Sequence, residues 1–134
     1  MRKRVLAYVT RERDGVRELL VFDHRDHPEA GTQVPAGRLD PGETLEQCLL
    51  RELHEEAGID RARIVRELPP PSRPEKYENH AFEVRIDGAK PADTWDHVVH
   101  GDGDDAGLVF RYRWEPVRAH LMLFNRLDPV LEAL

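Results

Sequence analysis

The sequence contains one cysteine, Cys48, in 134 residues. A single thiol excludes an intrachain disulfide and a thiolate-rich zinc site, and it fits a reducing, cytoplasmic setting. Long apolar runs are missing too. No stretch approaches the ~18 residues that a membrane helix requires. The apolar run 5–9 stops at Thr10-Arg11-Glu12-Arg13, without the small-residue cleavage site of a signal peptide. Positive charge is not in excess: 20 Lys and Arg against 26 Asp and Glu leave a formal net charge of −6. That balance argues against polymeric nucleic acid as a partner, which calls for a basic surface. It leaves room for a small anionic ligand. No segment repeats, and none of the seven histidines has zinc-binding helical spacing alongside cysteines.

Apolar residues make up 40% and charged residues 34% of the chain, the latter above the usual ~25%. This composition predicts one folded domain over residues 1–134 with a heavily charged surface. Residues 4–10 and 18–23 read as strands joined by a turn at Asp14-Gly15. Residues 32–35 form a short extended piece, with Pro35 suited to a strand end or edge. Thr44 and Gln47 make a capping box, opening a helix that runs to Ala57 and stops at Gly58. Leu45, Leu49 and Leu53, with Leu50 and Ala57 nearby, give it an apolar face.

Further strands are expected near 62–68, 77–86, 95–99 and 107–115, with a stiff proline run at 69–74 and an acidic, glycine-rich loop at 101–107. A closing amphipathic helix is expected from Arg118, broken near Pro129; its apolar face would close the monomer's core or join a homodimer. The mixture predicts an α+β fold: a mixed sheet flanked by helices, an α/β/α sandwich.

The chemistry concentrates between Gly37 and Ile59. Glu52, Glu55 and Glu56 fall at i, i+3 and i+4, so three carboxylates share one helix face beside the leucine face. Without a ligand this is unfavourable, since each like-charge pair costs ~0.2–0.5 kcal/mol. The carboxylates also lie at the wrong end of the helix dipole. A hard divalent cation reverses that sign. Three glutamates alone are an ordinary solvated helix face; the whole pattern is not. Gly37, Glu43, Arg51-Glu52-Leu53, Glu55-Glu56 and Gly58-Ile59 fit G-x5-E-x7-R-E-U-x-E-E-x-G-U, where U is aliphatic. This resembles the Nudix (MutT-like) signature at all nine specified positions.

The resemblance implies a loop–helix–loop clamped against a sheet, binding Mg²⁺ or Mn²⁺ and cleaving the pyrophosphate linkage of a nucleoside diphosphate joined to another moiety. It implies Glu52, Glu55 and Glu56 as metal ligands, with the backbone at Gly37 beside the metal-bound phosphate. On the same resemblance, Glu52 and Glu55 are expected to be the catalytic carboxylates of the box. Glu43 and Arg51 hold the loop against the helix, and Gly58 ends it. The general base comes from the box, with Glu52 favoured, or from a distant loop, where Asp102, Asp104 and Asp105 are the candidates. Those aspartates do not form an EF-hand, because the fifth and twelfth positions counted from Asp102 are Ala106 and Arg113.

Substrate contacts are expected from His24, Arg25 and Gln33, and from Tyr77; Phe82 and Trp95 either stack on a base or belong to the core. Pro74 is similar to a feature of ADP-ribose-type enzymes and Tyr77 to one of dinucleoside-polyphosphate enzymes, so the substrate stays open. The rival reading is a catalytically silent Nudix-fold module that binds nucleotide or a protein partner. A silent module has no use for three mutually repelling carboxylates.

Overall fold

A computed structural model describes residues 1–71, 77–88, 92–101, 103–118, 121–124 and 126–134. Pro74 and Asp102 lie outside the described residues. The first strand, β1 (Arg2–Arg13), turns through Asp14 and Gly15 into β2 (Val16–His24). Both turn residues have positive φ, 52° and 77°, as a two-residue hairpin needs to match strand twist. Then come β3 (Ala36–Arg38), helix α1 (Leu45–Ala57), β4 (Ala62–Leu68), β5 (Tyr77–Ile86), β6 (Thr94–Val98) and β7 (Val109–Pro116). The main sheet runs β4-β5-β1-β2-β7-β6, with β3 added beside β1. β1 and β5 pair in parallel, and the other pairs are antiparallel.

β1 belongs to two half-sheets. Its last four residues, Thr10 to Arg13, pair with β2. Its earlier part pairs instead with β3, Arg4–Leu6 opposite Arg38–Ala36. Between these points β2 swings away from β1, and the segment from Gln33 to Arg38 fills the gap. Gln33 exchanges two backbone hydrogen bonds with Phe22, and the Pro35 carbonyl accepts from Ala7. Pro35 thus sits where its missing N–H is not needed. This wedge brings Gly37 toward α1.

Residues 5–10 of β1 are all buried, because both sheet faces are covered. Val5, Ala7 and Val9 face α1 with Leu49, Leu53 and Ala57. Leu6 and Tyr8 face the other way, toward Leu123, Val130 and Leu131. The α+β class is as expected, but the second covering layer is not the amphipathic helix predicted from Arg118. Residues 122–123 and 126–127 form a small hairpin, followed by a 3₁₀ turn at Pro129–Ala133. Phe124 takes φ 53° and sends its N–H to the Thr32 carbonyl, which stops any right-handed helix there. Asp128 then caps the turn by accepting from the Val130 N–H. No helix among the described residues is long and apolar enough to cross a membrane.

In α1 the capping box forms as expected, with Thr44 accepting from the Gln47 N–H and Gln47 accepting from the Thr44 N–H. Gly58 closes the helix in the left-handed region at φ 72°. Leu50 is not part of the buried face; it is exposed, and Cys48 is buried in its place. Thr44→Ala removes one cap hydrogen bond, worth about 1 kcal/mol. Calorimetry should show Tm lower by about 3–5 °C, and Thr44→Ser should restore it.

Candidate active site

The last two turns of α1 form one wall of a cleft of about 460 Å³. It gathers Gly37, Arg51, Glu52, Glu55 and Glu56 of the box with Gln33, Tyr77, Asp104 and Asp105. His24 and Arg25 are not brought there. His24 lies against the Phe110 ring, 4.7 Å between centroids, and Arg25 pairs with Asp26 at 3.2 Å. The end of β2 points them past the cleft, which the sequence spacing could not reveal. Phe82 is buried in the core and Trp95 stacks on Tyr112, and neither lines the cleft.

Arg51 is the hub of the box. Its Nε and Nη2 grip both oxygens of Glu43 at 2.7 and 3.0 Å, a bidentate pair. Its Nη1 donates to Glu52 at 2.9 Å and Glu55 at 3.1 Å, and Nη2 also donates to the Arg38 carbonyl at 3.1 Å. One side chain therefore ties the Gly37–Glu43 loop to two of the three helix carboxylates. The guanidinium's hydrogen bonds hold Glu43 down at about 2.

The other carboxylates are pushed upward. Burial, reinforced by the Glu55 charge, raises Glu52 to about 7 despite the pull of Arg51. Glu56 is only 7% exposed. Burial and the Glu52 charge raise it well above the ordinary carboxylate range, although it accepts from the Ala36 N–H at 3.1 Å. Burial also pushes the neighbouring Cys48 thiol up to about 12, leaving it an inert core residue.

Two glycines let backbone approach these groups. A Cβ on Gly37 would lie 2.0 Å from the Glu52 carboxyl carbon, so no other residue fits without moving Glu52. A Cβ on Gly101 would lie 2.7 Å from that of Glu55, and Gly101 also has φ 100°. Gly101 of the acidic loop therefore lies directly against Glu55 of the box. Asp104 is almost fully exposed and reaches Arg38 at 3.7 Å.

Sequence reasoning missed the cations of the cleft, Arg2, Arg4 and Arg38. Alternation on β1 and the register Arg4↔Arg38 put the last two on one face, a signal visible only once the pairing is known.

Among the described residues no three carboxylate, histidine or cysteine side chains already converge as a cage. One oxygen of Glu52 and one of Glu55 go to Arg51 instead. The donor chemistry nevertheless fits a hard divalent cation. Three carboxylates crowd together, two of them raised by burial and mutual repulsion, beside backbone that no side chain screens.

This crowding has a pH signature in the metal-free protein. Glu52 and Glu56 have folded pKa values above the ordinary 4.5. The folded state therefore holds protons that the unfolded chain has released. Their stabilisation is complete below about 4.5; that of Glu52 is lost as pH rises through about 7, and that of Glu56 as pH rises through its own raised pKa. His97, lowered by burial, adds a slope of opposite sign. Tm measured without metal should fall between pH 5 and pH 8 by roughly 5 °C or more. The Glu52→Gln, Glu56→Gln double variant should lose that decline; an unchanged profile would place the slope elsewhere.

A family model described as NUDIX domain matches residues 1–134. The RNA pyrophosphohydrolase of Legionella pneumophila (strain Corby) is 38% identical over 135 residues, covering 84% of this chain and 77% of that protein. The RNA pyrophosphohydrolase of a Wolbachia species (subsp. Brugia malayi, strain TRS) is 32% identical over 96 residues, covering 63% of this chain. The chain spans 58% of that relative's length. A solved binary complex of a C. elegans Ap4A hydrolase superposes with a TM-score of 0.60 at 20% identity, over 87% of this chain and 81% of that one, and shares its fold. With the family model spanning every residue, this chain belongs to the NUDIX-domain family.

Proposed function

We propose that this chain is a hydrolase, dependent on Mg²⁺ or Mn²⁺, that cleaves the pyrophosphate linkage of a nucleoside diphosphate joined to another moiety. The observation that carries this reading is that Glu52, Glu55 and Glu56 line one cleft beside Gly37, together with Arg4 and Arg38. The three carboxylates would hold the cation. When bound, it supplies charge neutralisation for the phosphates and lowers the pKa of water.

In the reaction the water oxygen adds to one phosphorus. The bond from that phosphorus to the bridging oxygen breaks, and the departing phosphate keeps the bridging oxygen. A carboxylate takes the proton from the water. Glu52 suits that role, because it lies on the rigid helix at the wall of the cleft. Asp104 and Asp105, on the loop after Gly101, are the competing source.

Arg38 now makes a long contact with exposed Asp104. A phosphate oxygen would replace it with a shorter, charge-assisted bond. Gln33 and Tyr77 line the same cleft and would meet the rest of the substrate. Similar proteins are named for RNA and for Ap4A, a dinucleoside polyphosphate; the net charge of −6 weighs against the polymer and toward the smaller substrate.

The test is chromatographic analysis of the products formed with Mg²⁺ or Mn²⁺ from a panel of nucleoside triphosphates, dinucleoside polyphosphates, nucleotide sugars and a 5′-triphosphorylated oligonucleotide. Cleavage of at least one into the two phosphate-bearing halves is expected, and Glu55→Gln with Glu56→Gln should lower it by about 10²-fold or more. No cleavage of any member would leave a binding module. For the base, Glu52→Gln should cost 10²–10⁴-fold in kcat, and Asp104→Asn or Asp105→Asn about tenfold or less. The reverse order moves the base to the loop. A Glu52→Gln protein that recovers kcat at saturating metal has lost a ligand, not the base.

A further inference from the structure

The carboxylates sit on the last turns of α1, where four backbone carbonyls have no partner inside the helix. Their partners can all be named. The His54 carbonyl accepts from the Gly58 N–H at 3.1 Å, within the local cap. The Glu55 carbonyl accepts from the His100 N–H at 3.0 Å and from His97 Nε2 at 2.9 Å. A carbonyl can only accept, so His97 carries its proton on Nε2. The Glu56 carbonyl accepts from the Tyr112 hydroxyl at 2.9 Å, and the Ala57 carbonyl from the Trp95 indole N–H at 3.1 Å. Three of the four are thus bound from β6, β7 and the start of the loop after β6, which lie 38 to 56 residues away in sequence.

These donors come as a block. Trp95 and Tyr112 are register partners on β6 and β7, and their rings stack at 5.0 Å. Tyr112 is fully buried, and its ring also meets Phe22. His97 lies over Gly58, where a Cβ would come within 3.0 Å of its ring. A helix held only at its leucine face can still roll about its axis. Carbonyls tied to a rigid strand pair cannot follow such a roll. With side-chain tips about 5–6 Å from the axis, a roll of about 10° moves a carboxylate by about 1 Å. A displacement of that size can cost on the order of 10²-fold in rate.

We propose that Tyr112, His97 and Trp95 are positioning residues that fix the roll of α1, and with it the directions of Glu52, Glu55 and Glu56. The proposal rests on the hydrolase reading for its kinetic consequence, but its structural consequence is read on metal binding alone. None of the three side chains needs to touch substrate. They act through the helix backbone, one residue of which carries each carboxylate.

The test compares Tyr112→Phe with Tyr8→Phe. Each removes one hydroxyl from a fully buried ring; that of Tyr8 binds Asp128 on the opposite face of the sheet. Both variants should fold with a lower Tm. Tyr112→Phe should lower kcat about tenfold or more with KM changed less than about twofold, and should shrink the Tm increase produced by millimolar Mn²⁺. Tyr8→Phe should keep the wild-type kcat and the wild-type Mn²⁺ response. Trp95→Phe, which retains a ring for stacking, should follow Tyr112→Phe. A Tyr112→Phe protein with wild-type kcat and Mn²⁺ response overturns the proposal, as does a parallel loss in both tyrosine variants. If the wild type responds to Mn²⁺ but hydrolyses no member of the panel, the hydrolase reading fails, and the Mn²⁺ response still decides the positioning role. A wild type without that response overturns both.

Discussion

Mutual repulsion among Glu52, Glu55 and Glu56 is the constraint around which the site is built. The turn that bears them is shielded from water, so charge there is costly and each carboxylate needs an external partner. Arg51 answers for Glu52 and Glu55 while holding Glu43 with both oxygens engaged. The Ala36 N–H answers for Glu56. Burial, with what remains of the repulsion added to it, raises the proton affinity of Glu52 and Glu56. A group that would rather hold a proton also gains most from a cation, so the same crowding that destabilises the metal-free site makes it selective for a ligand.

The fold supplies those partners through one irregularity in the sheet. Because β2 leaves β1 after Thr10 pairs with Leu19, the segment from Gln33 to Arg38 can insert between them. That insertion aims the Ala36 N–H at Glu56 and sets Gly37 against Glu52. It also turns Arg38 toward the acidic loop. The insertion needs a stiff strand to lean on, and β1 is stiff because both of its faces are buried. On the face away from α1 the cover is the C-terminal segment. Arg66 ties it down by binding buried Glu83 at 2.8 Å and also reaching the Ala133 carbonyl. Arg17 binds the Leu134 carbonyl at 3.0 Å. The cover of that face is thus held by anchors far from the site's own chemistry.

Legibility in the sequence followed the range of the interactions involved. The helix, its capping box, its glycine stop, the Asp14-Gly15 turn and the strands at 62–68 and 77–86 rest on neighbours a few residues apart, and each was readable from spacing. The pattern from Gly37 to Ile59 was readable for the same reason, since helical geometry alone puts the three glutamates on one face. The expected closing helix failed because its apolar residues answer to the sheet beneath them. Phe124 and Pro129 interrupt a periodicity that looked helical when counted alone.

The sequence by itself therefore determined that three carboxylates would share one helix face, because an α-helix turns every residue by a fixed angle. The roles of Gly37, Glu43 and Arg51 came instead from the resemblance of the whole spacing to the Nudix signature, since Gly37 and Glu43 lie before the helix. Only the tertiary structure decided which strand edge meets that turn, and so which residues share the cleft. Arg4 and Arg38 enter it through strand register, while His24 and Arg25 pass outside. Gly101 lies against Glu55. Tyr112, His97 and Trp95 reach the helix carbonyls across 38 to 56 residues of chain. Strand register and the split between β1 and β2 are set by packing of both sheet faces at once, and no local window of sequence contains both faces.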